Sequence, residues 1–335
     1  MTATSDSGEL WTRWVDLAQT RLGSRVVYAS DDFFAPKERL IDPREPVFLP
    51  EEYDENGKWM DGWESRRRRD DGHDHCIVCL GQRGIVKGID VDTRHFTGNY
   101  PPAASIDACI SDAELPGDDV AWSPIVPVSP LNGDSHNVFA VDSDRAWTHL
   151  RLNIYPDGGV ARLRVFGHIR RDWSTVGPDD VVDLAAMVNG GHPVGCNDEH
   201  FGKLGNIIAP GHGRNMGDGW ETRRRREPGS DWGILALAHP GTVEEVLVDT
   251  AHFKGNYPDR CSLQAALIDG EPEELLPAQS QSWPLLLPEQ RLGMDAEHLF
   301  RAEVQPLGPV SHVRVNMIPD GGISRLRLFG RIARG

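Results

Sequence analysis

The stretch HLRLNIYPDGGVARLRVFG, residues 149–167, decides the fold class. Leu150, Leu152 and Ile154 alternate with Arg151, Asn153 and Tyr155, and Leu163 and Val165 alternate with Arg162 and Arg164. A period of two is the mark of a strand with one buried face. Pro156-Asp157-Gly158-Gly159 between the two runs supplies chain-reversing residues, so the stretch reads as a β-hairpin. Nearly the same text returns as HVRVNMIPDGGISRLRLFG at 312–330, 163 residues later (312 against 149).

Outward from this pair the repetition continues in the same order. DGWESRRRR at 61–69 returns as DGWETRRRR at 218–226, and HFTGNYP at 95–101 as HFKGNYP at 252–258. Further forward, SDDFFA at 30–35 resembles NDEHFG at 197–202, and DLA occurs at 16–18 and 183–185. Collinear blocks at domain-sized spacing are a tandem duplication, with loop insertions between blocks. The polar segment 170–180, with Gly177-Pro178, reads as the linker, giving domains 1–173 and 174–335. GIVKGIDVDT and SIDACI read as further strands, and helical periodicity is confined to short stretches around DLAQTRLG and DLAAMVNGG. Many short strands punctuated by glycine and proline predict an all-β protein, one β-sandwich per half.

Composition narrows the function classes. The chain has 335 residues, 39% hydrophobic and 26% charged, with a formal net charge of −16. That balance fits a globular protein and argues against a general nucleic-acid binder, which needs a positive face. It also means that an anionic ligand must be held by local cations. No apolar run approaches a membrane span, and MTATSDSGELWTRW lacks the pattern of a secretory signal. Five scattered cysteines fit reduced thiols in a cytoplasm.

The repeated blocks hold the candidate chemistry. In an extended segment Arg66 and Arg68 face one way and Arg67 and Arg69 the other, so one pair can meet internal carboxylates while the other reaches a ligand. A guanidinium fork suits a carboxylate or a urea carbonyl. The competing reading of the run is an ion-paired or solvated strand. Asp92 with His95, and Asp249 with His252, place a histidine three residues after an aspartate, where the carboxylate can orient the imidazole for acid or base work. Asn99 and Asn256 offer amides for a ureido or carboxamide group. The competing reading is a structural loop, with Gly98 and Asn99 at positive φ and Phe96 in the core. Asp31-Asp32, matched by Asp198-Glu199, keeps its acidity in both halves and otherwise reads as a capped turn. HDHCIVC at 73–79 resembles a metal site, but Cys76 and Cys79 fall on opposite faces of a strand and only Asp74 persists in the second half, as Asp231. No nucleotide, serine-nucleophile or zinc-protease motif is present.

Taken together, GDGWETRRRR, VDTAHFKGNYP and RVNMIPDGGISRLRLFG resemble the signatures of the allantoicase (allantoate amidinohydrolase) family, over both halves and almost the full length. The resemblance implies two tandem jelly-roll β-sandwich domains of the galactose-binding-like type, hydrolysis of allantoate to ureidoglycolate and urea in purine breakdown, and a homo-oligomer. No metal or other cofactor is expected, and neither nucleic acid nor membrane is an expected partner. Glu64, His95, Glu221 and His252 are the candidates for proton transfer. Trp63, Arg67, Arg68 and Asn99, with Trp220, Arg224, Arg225 and Asn256, are the candidates for substrate binding. A tandem carbohydrate-binding protein is disfavoured because such platforms expose aromatics, and only 7% of this chain is aromatic. A metal-dependent ureidohydrolase is disfavoured because no repeated His/Glu ligand set appears beyond the single Asp/His pair per half.

Overall fold

The computed structural model describes residues 14–334, most of which fall in two compact units, 15–170 and 171–334. Each is a jelly-roll β-sandwich organised around one 19-residue strand, Asp74–Asp92 in the first and Asp231–Asp249 in the second. The start of the first long strand pairs with Arg25–Ala29 on one side and Ala146–Tyr155 on the other. Its end pairs with Arg162–Ile169 and His136–Ala140. One continuous strand therefore contributes to both sheets. Ala103–Cys109 and Ser123–Pro130 extend the first sheet, and Val15–Asp16 edges the second.

The switch between sheets occurs where the ladder breaks. Trp147 lies opposite Gly84 and His149 opposite Cys79, so Leu80–Arg83 bulge against Thr148 alone. Glycine is required there: a Cβ on Gly81 would lie 2.1 Å from the Leu22 carbonyl oxygen. The second unit repeats the break between Ala236 and Gly241.

Leu150, Leu152 and Ile154 are fully buried in the core, as the alternation requires. Cys76 lies in the same core, while Cys79 is half-buried on the other face of its strand.

The expected hairpin is corrected. Ala146–Tyr155 and Arg162–Ile169 are both strands, but they do not pair with each other; each pairs with a different half of the long strand. Pro156–Gly159 carries the chain from one sheet to the other, and Gly159–Val160 then pairs with Trp63–Glu64. The turn residues are used for close approach. A Cβ on Gly159 would lie 2.0 Å from the Phe96 ring, and one on Gly322 would lie 2.0 Å from Phe253. The two helix-like stretches form single 3₁₀ turns, Thr20–Leu22 and Met187–Asn189. The only α-helix among the described residues is Leu276–Gln279, which carried no periodic signal.

Buried arginines tie the blocks together. Arg162, 1% exposed, donates to Asp61 Oδ2 at 2.8 Å and to the carbonyls of Arg44, Asp61 and Ala161. Arg325 repeats this with Asp218 and the carbonyls of Gly211, His212, Asp218 and Ser324. Arg162→Met leaves a carboxylate and three carbonyls without their donor. It should lower the free energy of unfolding by about 3–5 kcal/mol. Urea denaturation reads this directly, and an unchanged midpoint would show that the arginine is dispensable.

Candidate active site

Three sequence blocks meet beside the Phe96–Gly159 contact. Gly159 donates its N–H to the Asn99 carbonyl at 2.7 Å, which pins the HFTGNYP loop against the inter-sheet link. The link also pairs with Trp63–Glu64, so Glu64 and Asn99 are brought side by side. Asn99 Nδ2 donates to Glu64 Oε1 at 2.7 Å, and Asn256 donates to Glu221 in the second repeat. Burial pushes the Glu64 carboxyl above its usual range, and the Asn99 amide opposes that shift by hydrogen-bonding the carboxylate.

His95 completes the group. Its backbone sits at φ 71°, a left-handed conformation, held by an N–H bond to Asp134 Oδ1 at 2.8 Å. His252 matches it at φ 73°, bonded to Asp295. Positive φ therefore falls on the histidines, not on Gly98 and Asn99. His95 Nε2 lies 3.2 Å from the Pro46 carbonyl, and His252 Nε2 lies 2.8 Å from the Gly213 carbonyl. A carbonyl only accepts, so Nε2 is the donor in each contact. Phe48 stacks on the His95 ring, with centroids 5.8 Å apart. Glu64, His95 and Asn99 line one cleft of about 330 Å³ in the first unit, together with Phe34, Phe48 and Lys58.

The arginine run divides between alternate positions of the segment that follows Trp63–Glu64. Arg66 binds Asp31 through its backbone N–H and its guanidinium, and Arg223 binds Asp198 in the same way. This accounts for the persistent acidity at those positions. Arg68 donates its backbone N–H to Asp157 and its guanidinium to Asp70 and the buried Asp74. Arg225 does the same with Asp320 and Asp231. Arg68 and Arg225, expected on the substrate, are committed to internal carboxylates instead. Arg67, Arg69, Arg224 and Arg226 are exposed and make no side-chain hydrogen bond or ion pair among the described residues. Trp63 and Trp220 are also corrected. Both are fully buried, and their indole N–H groups bond the carbonyls of Asp31 and Asp198, so they support the block from beneath.

Asp92 does not orient His95. Its carboxylate is gripped by Arg94, which also reaches Glu45. Sequence spacing missed two sets of donor atoms that converge within 4.8 Å: Asp90, Asp92 and His136, and His212, Asp249 and Glu297. The statement that each half offers only an Asp/His pair is corrected to that extent. In the first set Arg94 already covers Asp92. In the second, Ala251 stands where Arg94 stands, and Asp249 makes no ion pair within 4 Å among the described residues. The His73, His75, Cys76 and Cys79 cluster does not close, since Cys76 points into the core.

The two copies are not equivalent. From Ser30 to Asp61 the chain runs 31 positions, against 21 from Asn197 to Asp218. The longer segment contains Phe48 and a small hairpin, Tyr53–Asp54 with Gly57–Lys58, next to the cleft.

A family model described as the allantoicase repeat matches residues 15–170 and again 182–333. The chain is 58% identical to probable allantoicase 2 of Burkholderia pseudomallei over 321 residues, 96% of each protein. It is 55% identical to probable allantoicase of Pseudomonas aeruginosa (strain UCBPP-PA14) over 317 residues, covering 95% of this chain and 96% of that one. A crystal structure of allantoicase from Saccharomyces cerevisiae superposes with a TM-score of 0.82 at 32% identity, covering 98% of both chains. With its two halves matching one repeat and its full length matching these proteins, the chain belongs to the allantoicase family.

Proposed function

We infer that the protein hydrolyses allantoate to ureidoglycolate and urea. The observation that carries this reading is the meeting of Glu64, His95 and Asn99 in one cleft of a chain that matches the allantoicase repeat twice. Allantoate is a carboxylate on a central carbon bearing two ureido groups. Releasing urea intact breaks a central C–N bond, not a urea carbonyl bond. The lone pair of the remaining ureido nitrogen forms a C=N bond as the other ureido group departs and takes up a proton. Water then adds to the central carbon and gives up a proton, which leaves ureidoglycolate.

The proton inventory closes with two groups. With Nε2–H held on the Pro46 carbonyl, a doubly protonated His95 ring gives its Nδ1 proton to the departing nitrogen and regains one from solvent before the next turnover. Glu64 takes the proton of the adding water, and a carboxylate with a raised pKa is a stronger base than an ordinary one. Asn99 positions Glu64 and offers its amide to a ureido group. The uncommitted Arg67, which follows Glu64 by three residues, is the candidate guanidinium fork for a ureido oxygen. Glu221, His252, Asn256 and Arg224 are the matching set of the second repeat. The reading also takes the chain as a cytoplasmic homo-oligomer, supported by its free cysteines and by the family resemblance.

Incubation with allantoate should yield one urea and one ureidoglycolate per turnover. Ammonia in place of urea would refute both the reaction and the bond assignment.

Glu64→Gln should lower kcat by about 10²–10⁴. With Glu64 as base, kcat/KM falls as pH drops through its raised pKa, so the acid limb lies above the ordinary 4.5. Asn99→Ala removes a hydrogen bond to the ionised form, which raises the pKa further and moves that limb to higher pH. A limb that moves down, or full activity in Glu64→Gln, would exclude this role.

Arg67→Gln should raise KM by an amount equivalent to about 1.5–3 kcal/mol, whereas Arg68→Gln should mainly lower stability. Wild-type kinetics in Arg67→Gln and Arg224→Gln alike would show that neither free arginine touches substrate.

A further inference from the structure

We propose that Lys58 is the residue that takes the substrate's carboxylate, which makes the first-repeat cleft the one specific for an anionic diureide. The proposal rests on the reading above that the substrate is allantoate. Among the described residues, Lys58 is the only ammonium or guanidinium lining the cleft that holds Glu64, His95 and Asn99. Arg67, the nearest uncommitted arginine in sequence, does not line it. The Lys58 ammonium lies 5.2 Å from the Phe48 ring centroid and 4.8 Å from that of Tyr53, and it donates to the Pro50 carbonyl. It has no carboxylate partner among the described residues, whereas most of the other cations near the repeated blocks have one. Three aligned groups hold the charge in place without neutralising it. An ammonium carries three donors, so bonds remain for a ligand.

The segment that presents Lys58 belongs to the first repeat. Lys58 ends the small Tyr53–Lys58 hairpin, inside the stretch that is ten positions longer than its counterpart (31 against 21). Counting back from the shared DGWE block, Asn215 stands where Lys58 stands. The duplication therefore kept Glu, His and Asn in both copies and added a cation to one. The need for it follows from charge: a chain of net charge −16 does not attract a carboxylate at long range, and Glu64 in the same cleft repels it. A site that pairs a substrate charge gains that charge-assisted bond from the charged ligand alone.

The test uses the full chain, with calorimetric binding and steady-state kinetics at neutral pH. The ligands are allantoate and methylenediurea, which has hydrogen in place of the carboxylate. Lys58→Gln should weaken allantoate binding and raise its KM about ten- to a hundredfold, leaving methylenediurea binding within about twofold. Lys58→Arg should retain most of the allantoate affinity, which separates charge from hairpin structure. Unchanged allantoate binding in Lys58→Gln, or an equal loss for both ligands, overturns the proposal. Because binding is read separately from turnover, a wild-type chain that binds allantoate through Lys58 without releasing urea would refute the reaction and leave this assignment standing. Absence of allantoate binding by the wild type would overturn the assignment itself.

Discussion

The Phe96 ring packs against Gly159 at a distance that leaves no room for a Cβ, and Phe253 does the same against Gly322. Much of the site depends on this contact. It presses the HFTGNYP loop onto the inter-sheet link, where the Gly159 N–H meets the Asn99 carbonyl. The link is in turn paired with the two-residue strand that carries Glu64. Asp157, in the same link, receives the Arg68 N–H. A side chain at position 159 would part three motifs at once. This explains why the double glycine occurs in both halves although neither makes a hairpin.

A second constraint is the matching of arginines to carboxylates inside an acidic chain. Arg66 with Asp31, Arg68 with Asp74, Arg94 with Asp92, and Arg162 with Asp61 each use a guanidinium to satisfy a carboxylate that is buried or nearly so. Removing one member of such a pair leaves an uncompensated charge. The arginine run is therefore mainly a fastening, and only its alternate members are free. The run and the net charge of −16 are compatible for this reason.

Duplication has let the halves diverge around a shared frame. Both keep the Glu–Asn contact and the left-handed histidine. Around that frame, the first repeat has the longer loop with its aromatic and cationic residues and has Arg94 on Asp92, where the second has a shorter loop and Ala251.

Much of the fold was legible in the residues alone. The all-β class, the duplication and the residue types of the site follow from period-two alternation and collinear repetition, and both are properties of local order along the chain. Glu64, His95 and Asn99 stand out as candidates because they lie in repeated blocks, and they line one cleft. Which strand pairs with which was not legible, because alternation identifies a strand without naming its neighbour; the apparent hairpin joins two sheets. Nor could spacing tell that Asp92 serves Arg94 and not His95, that Arg68 is spent on Asp74, or that Trp63 lies beneath the site. Lys58 gave no signal at all, since a lysine in a polar loop is ordinary until a cleft forms beside it. A charged side chain has many possible partners along the sequence, and only the folding of distant segments against one another decides which of them it meets.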